Sequence, residues 1–445
     1  MTHSENLETS LRRVEGPAVA IVGSGPAGCY LAQHLLKLLP TARIAIFERL
    51  PVPYGLIRYG VAPDHQGTKS VTRQFDRLFE LGQIQFAGNI DVGIDVSLEQ
   101  LRDAFDVVAL AAGVHADRQL HVVGEDLRGV YRAGKMLRML NGHPDEPWAD
   151  VSLGSRAVII GNGNVALDVL RLLIKDVGDF EASDIDNDVF ARLETDRLKE
   201  VEILGRSAAG AAKFDAANIR ELSKVKGVRF LVVGLDDREL EGSATAAPKL
   251  AALKGLEARE DGEPIRATVT FRFGWSPLSI EGADQVQGIL FNKSDDSDEV
   301  LKLSADSVIT AVGFAKPPQG ERTIMPLPSL EGEAETGRIG EGLFCTGWYR
   351  RGAQGTIPEN RTDARQVAEL IATSLAAKEL RAERPGLRGL PANIIDKAVS
   401  FTGWRAIDAA ETGNAPPGRV RRKIRTWCAL LATAYDGKIT EEVKR

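Results

Sequence analysis

Ala18-Val19-Ala20-Ile21-Val22-Gly23-Ser24-Gly25-Pro26-Ala27-Gly28-Cys29-Tyr30 is the stretch on which the fold turns. Five apolar residues make a run typical of a strand buried in a parallel sheet, and residues 30–36 continue as a helix. Gly23 permits the tight turn, Gly25 lets the backbone approach a pyrophosphate, and Gly28 lets the helix pack closely on the strand. The helix N-terminus then faces an anion. Twenty residues beyond Gly28 the next apolar run, Arg43-Ile44-Ala45-Ile46-Phe47, ends at Glu48, placed to accept hydrogen bonds from ribose hydroxyls.

A second unit of the same kind lies downstream. Arg156-Ala157-Val158-Ile159-Ile160 reads as a strand, Gly161-Asn162-Gly163-Asn164-Val165-Ala166 as its glycine loop, and 165–174 as a helix with an apolar face. Ala166 at the third small position still allows close packing. After an acidic stretch, 176–188, the strand Glu200-Val201-Glu202-Ile203-Leu204-Gly205 ends in Arg206, where an arginine can pair with a 2′-phosphate; the competing reading is a solvated arginine after a strand. Two dinucleotides held in one chain can be brought ring to ring to pass a hydride.

Composition sets the frame. At 445 residues the chain exceeds what one core usually supports, so two domains are expected. The alternation of strands and helices argues for an α/β fold of two Rossmann-like dinucleotide-binding domains. A formal net charge of −6 gives no sign of nucleic-acid binding. No apolar run approaches the roughly 18 residues of a membrane span. The polar N-terminal decapeptide leads directly into the first strand, which leaves no removable secretory signal, and a cytoplasmic location is expected. Cys29, Cys345 and Cys428 form no close pair, so no local redox disulfide is expected, and all three are read as buried apolar residues. With six histidines and no ligand spacing, no metal or iron–sulfur site is expected.

Between the units, a strand within 104–113 closes the first and a helix near 132–140 leads into the second. Residues 255–300 read as β-rich decoration, including the alternating Ala267-Thr268-Val269-Thr270-Phe271-Arg272-Phe273. Gly342-Leu343-Phe344-Cys345-Thr346-Gly347-Trp348 reads as a strand returning to the first domain. The first domain is therefore expected to be discontinuous, 1–116 with 335–445, around a second at 117–334. The basic run Arg419, Arg421, Arg422, Lys423 and Arg425 is expected to be a solvated surface, with docking of an acidic partner as the alternative.

Longer strings carry more specific information. Pro51-Val52-Pro53-Tyr54-Gly55-Leu56-Ile57-Arg58-Tyr59-Gly60-Val61-Ala62-Pro63-Asp64-His65, Gly161 through Asp168, Gly347-Trp348-Tyr349-Arg350-Arg351-Gly352-Ala353-Gln354-Gly355-Thr356-Ile357 and Gly403-Trp404-Arg405-Ala406-Ile407-Asp408 together resemble the adrenodoxin reductase family of ferredoxin-NADP reductases. The resemblance spans nearly the whole chain. It implies FAD, NADPH or NADH as electron donor, and a ferredoxin-type iron–sulfur protein as acceptor. By matching position it also implies that Ala27, Glu48, Leu56 and Val92 belong to the flavin site, and that Trp348, Gly355, Thr356 and Ile357 lie along the isoalloxazine. There, backbone donors near the pyrimidine edge stabilise the reduced ring.

His65 and Glu221 match positions close to where nicotinamide meets flavin. Hydride transfer needs no acid or base, so their implied role is orientation and polarity. Two positions depart from the family pattern: a usual arginine pair reads Arg206-Ser207, and a usual glutamate reads Asn218. Preference for NADPH over NADH is thereby left open, with Lys213 as a compensating cation. Two other readings of the same scaffold are a flavin-dependent monooxygenase or quinone reductase, and a nucleotide-binding redox sensor.

Overall fold

The computed structural model describes residues 16–146, 151–235, 246–295, 297–315, 336–377 and 383–442, the last six of these by backbone alone. Two six-stranded sheets organise the chain. The first runs, edge to edge, Arg338–Gly340, Leu343–Cys345, Val107–Leu110, Ala18–Val22, Arg43–Phe47 and Ile84–Ala87. All its pairings are parallel except that of the Arg338–Gly340 edge. Every residue of Ala18–Val22 is buried, because helices cover both faces of the sheet. One cover is the helix Pro26–Leu38, which shares an apolar cluster with the later helix Ile357–Ala376 through Leu31, Leu35, Ala364, Val367 and Ile371. The helix Phe401–Gly413 adds Trp404 and Ile407 to that cluster.

The second sheet runs Val130–Arg132, Ser307–Thr310, Arg156–Ile160, Glu200–Gly205, Ala267–Phe273 and Val228–Val233, parallel throughout. Ala267–Phe273 is thus an inner strand of the main sheet, which corrects its reading as decoration. Its alternation misled because the polar positions are satisfied inside the fold: the Arg272 guanidinium grips Glu202 on the neighbouring strand at 2.8 and 3.2 Å. The decoration is the antiparallel sheet Trp275–Glu281, Gly288–Lys293 and Val300–Ser304. Trp275, Ile280, Ile289 and Phe291 pack it against Val158, Ile160 and Leu204 of the main sheet.

A short antiparallel pair, Ala116–Asp117 with Phe314–Ala315, joins the two passages of chain between the sheets. The basic run provides a second junction. Arg419 binds Asn187 Oδ1 at 2.9 Å and the Phe180 carbonyl at 2.7 Å, Arg422 reaches Asp188 at 3.2 Å, and Arg425 reaches Asp186 at 3.1 Å. Lys423 lies buried against Asp184 at 2.7 Å, and Lys69 approaches the same carboxylate at 2.7 Å. Arg419, Arg422, Lys423 and Arg425 thus clasp the acidic stretch 176–188, while Arg421 pairs with Asp408 and Glu411; Arg422 and Arg425 stay exposed, and the reading as a solvated surface is corrected for buried Lys423. Opposite charges far apart in the chain meet because the backbone of 418–420 pairs with that of 182–183. Among the described residues no helix is long and apolar enough to cross a membrane. Cys29 and Cys345 are buried, whereas Cys428 is exposed, which corrects the expectation for that residue.

Candidate functional site

The two glycine loops have the same internal geometry. Gly23 and Gly161 both take positive φ, +107° and +130°, and a Cβ on either would strike a backbone carbonyl, that of Ala111 or of Ala311. Their amides donate to the neighbouring strands, Gly23 to Phe47 at 2.8 Å and Gly161 to Leu204 at 2.7 Å. Gly28 sits under the first loop, where a Cβ would come within 2.0 Å of the Gly23 carbonyl oxygen. At Gly25 and Gly163 nothing lies within 4 Å of a Cβ position, so this is where each loop opens. These two glycines are the N-caps of the helices Pro26–Leu38 and Asn164–Ile174. Neither helix has a side-chain cap or an acidic residue in its first turn. Both therefore present unpaired N–H groups and positive dipole ends to the space in front of them.

That space is one cavity of about 1330 Å³ reaching from the first loop to the second. It is lined by Gly23, Gly25, Ala27, Glu48, Leu56, Val92, Trp348, Gly355, Thr356 and Ile357 on one side, and by Gly161, Asn162, Gly163, Asn164, Val165 and Arg206 on the other. His65 lines it as well. Of the residues singled out from sequence at the loops and between them, Gly28, Ala166 and Glu221 do not: Gly28 packs beneath the first loop, Ala166 is buried in its helix, and Glu221 stands behind His65.

Local contacts explain why the distant strings converge. The Tyr54 amide donates to the Ser24 carbonyl at 3.1 Å, folding the 51–65 string back over the first loop. Gly347 presses onto the first turn of the helix Pro26–Leu38, where a Cβ would lie 2.4 Å from Ala27 Cβ. Trp348 donates its indole N–H to the Gly355 carbonyl at 3.1 Å, and its ring leans on Phe314 at 5.8 Å. Thr356 and Glu359 form a capping box at the start of Ile357–Ala376. Thus the Thr356 amide is already engaged by the Glu359 carboxylate, which these hydrogen bonds hold below its usual range. Glu48 also has protein partners: Oε2 accepts from Ser24 N and Oγ at 3.1 and 2.6 Å, and Oε1 from Leu50 N at 3.0 Å. They aim the carboxylate, and Oε1, with a single donor, keeps lone-pair capacity for a further one.

At the far loop, Asn164 and Asp215 bind reciprocally at 2.8 and 2.9 Å, pinning the loop 206–215 to the start of the helix. Both polar atoms of the Asn162 side chain are buried without a partner among the described residues, packed against Gly205. Arg206 and Lys213 are exposed at the cavity wall, with Ser207 and Asn218 beside them.

Midway, His65 Nε2 lies 2.8 Å from Glu221 Oε2, and Nδ1 lies 3.6 Å from Asp168 Oδ1. Behind them Arg171, with only 2% of its side chain exposed, binds Asp64 through two nitrogens and Asp168 through a third. Burial alone would raise the Asp64 pKa, but hydrogen bonds and charge from Arg171 and Lys175 hold its carboxyl well below the usual range. Burial pushes Asp168 up, against the pull of Arg171 and His65. Sequence reasoning quoted Asp64 and Asp168 in their strings without assigning them to the site, and missed Arg171 and Lys175. The spacing of Asp168 and Arg171, three apart on one helix, was the available signal.

No family model matches the chain. It is 44% identical over 427 residues to the cindoxin reductase of Citrobacter braakii, a match covering 96% of this chain and 93% of that one. It is 32% identical over 462 residues to the NADPH-ferredoxin reductase FprA of Mycobacterium tuberculosis, covering 93% of this chain and 98% of the relative. The chain belongs to the adrenodoxin reductase-like family of ferredoxin-NADP reductases. A solved structure of FprA in complex with NADPH matches this member of the family with a TM-score of 0.82 at 31% identity, over 94% of this chain and all of that one. The reductase is accordingly an oxidoreductase built on the two-dinucleotide flavoprotein fold.

Proposed function

We propose that this chain is an FAD-dependent ferredoxin reductase that takes a hydride from NADPH and passes electrons singly to a ferredoxin-type iron–sulfur protein. The observation that carries the reading is the single cavity with an uncapped helix N-terminus at each end. The first loop, Glu48, Leu56, Val92 and the 348–357 segment hold FAD. The second loop holds the NADPH pyrophosphate, and Arg206 its 2′-phosphate. When bound, the flavin supplies the exchange between a two-electron donor and a one-electron acceptor. The protein supplies alignment: His65 and Glu221 orient the nicotinamide end and move no proton.

The same reading divides the chain into a flavin domain, 1–116 with 335–445, and a nicotinamide domain, 117–334. The strand Leu343–Cys345 beside Val107–Leu110 supports that division, and its second boundary lies outside the described residues. A cytoplasmic location is supported by Cys29, Cys345 and Cys428 being thiols rather than disulfides, since oxidising compartments favour disulfides.

The test is anaerobic mixing of the yellow holoenzyme with NADPH and, separately, NADH, following flavin absorbance, and then addition of a [2Fe–2S] ferredoxin. Bleaching faster with NADPH, followed by ferredoxin reduction, is the expected result. A flavin that neither nucleotide bleaches removes the reading.

A further inference from the structure

We propose that Arg171 is a positioning residue for hydride transfer, facing from behind the same two carboxylate oxygens that His65 faces in front. The inference rests on the reductase reading above.

The geometry is a closed ring of four groups. Asp168 Oδ1 accepts from Arg171 Nη1 at 2.8 Å and faces His65 Nδ1 at 3.6 Å. Glu221 Oε2 faces Arg171 Nη1 at 3.8 Å and His65 Nε2 at 2.8 Å. The imidazole and the guanidinium thus meet across two shared oxygens. Arg171 has a further hold on the histidine through the backbone. Its Nε and Nη2 grip both oxygens of Asp64, the residue preceding His65, at 2.9 and 2.8 Å, and Lys175 reaches the same carboxylate at 2.7 Å. One planar fork therefore fixes the chain next to His65 and, by hydrogen bond, the Asp168 carboxylate beside its ring, while at 3.8 Å it lends Glu221 charge but no hydrogen bond.

Burial and charge favour this role over a plain tie between lobes. His65 and Asp168 line the cavity, whereas Arg171, Asp64 and Lys175 do not, so the guanidinium touches no ligand and acts only through the residues that do. Within the ring two carboxylates, Asp168 and Glu221, face one guanidinium and the imidazole of His65, while Asp64 outside it is matched by Lys175. A guanidinium is suited to the place because it offers donors in a rigid plane. A lysine keeps the charge but not the fork, so it can hold Asp64 or Asp168 and lose the alignment of the other. Small displacements at such a site are expensive in rate, because hydride transfer depends on the approach of the reacting atoms.

The experiment uses the holoenzyme with Arg171→Lys and Arg171→Met, each also combined with His65→Ala. Four quantities are measured: the limiting rate of flavin bleaching at saturating NADPH, affinity for NADP+, flavin content and melting temperature. For Arg171→Lys the limiting rate is expected to fall by roughly ten- to a hundredfold. Affinity for NADP+ should change less than about threefold, because the contacts at the second loop and Arg206 are untouched. In the His65→Ala background, Arg171→Lys should lower the rate by no more than about twofold further, since what it positions has gone. An unchanged limiting rate per bound flavin, or losses that simply multiply in the double variant, would overturn the inference. If Arg171→Met yields no folded holoenzyme, the lysine variant carries the test alone. Wild-type protein that NADPH cannot bleach would instead sink the reductase reading.

Discussion

Arg206 shows how much can hang on a single side chain at the end of a strand. It follows Glu200–Gly205 directly and stands exposed at the cavity wall, with no hydrogen bond or ion pair among the described residues. Ser207 is its neighbour, and Lys213, also exposed, brings the other cation lining this end. A charge-assisted bond to a phosphate contributes about 1.5–3 kcal/mol, and a lysine, as a point charge, discriminates less sharply than a bidentate guanidinium. Arg206→Ala should therefore raise the KM for NADPH by roughly ten- to a hundredfold while leaving that for NADH nearly unchanged. Equal losses with the two donors in steady-state kinetics would show that Arg206 does not read the 2′-phosphate.

Elements far apart in sequence meet as complementary charge. The segment 419–425 and the stretch 176–188 contain two sorts of ion pair, and burial separates them. Arg422 with Asp188 is solvent-exposed on both sides, with 62% and 54% of the side chains accessible. Lys423, Lys69 and Asp184 are almost wholly enclosed. Asn141 Oδ1 accepts from both lysines, at 2.5 Å from Lys69 and 3.0 Å from Lys423. Exposed pairs contribute about 0–1 kcal/mol, whereas removing one partner of a buried set costs about 3–5 kcal/mol because the remaining charge is stranded. Asp184→Asn should accordingly lower the unfolding free energy by about that larger amount, and Asp188→Asn by less than about 1 kcal/mol. Chemical denaturation of the two variants decides the point; equal effects would mean that the buried triad is not the anchor of the clasp. The sequence showed both charged runs, but pairing them required the approach of two segments more than two hundred residues apart.

For the molecule as a whole, the buried carboxylates predict how it fails in acid. Burial alone would raise the pKa of Asp64 and Asp184, yet Arg171 with Lys175, and Lys423 with Lys69, hold both well below the usual range. On lowering the pH, the unfolded chain takes up these protons first, near its ordinary value of about 3.9, while the folded chain does not. The stability they contribute is therefore complete above about pH 5 and lost progressively as pH falls toward the folded values. Asp168, raised by burial, acts in the opposite sense over its own range. Unfolding measured from pH 7 to 3 should show this acid limb in the wild type and a flatter one in Asp64→Asn and Asp184→Asn. Parallel curves for all three would show that other groups govern acid unfolding.

The two nucleotide units were legible in the sequence because what encodes them is local. A buried strand, a turn only glycine makes, a helix packed on it and a terminal acid or arginine all fall within some fifty residues of each other. The cavity walls at Leu56, Val92 and the 348–357 segment came from resemblance, and the contacts of Tyr54 with Ser24 and of Gly347 with Ala27 explain physically why those strings lie over the loop. What periodicity misread were places where a polar side chain is satisfied by a distant one. Arg272 on Glu202 turned an inner strand into apparent decoration, and Asp184 on Lys423 turned part of an apparent surface into a junction. The ring of His65, Asp168, Arg171 and Glu221 is of the same kind. By itself the sequence determined which segments form turns, strands and helices, since those depend on neighbours along the chain. The tertiary structure alone decided which buried charges face one another, since an ion pair depends on distance in space.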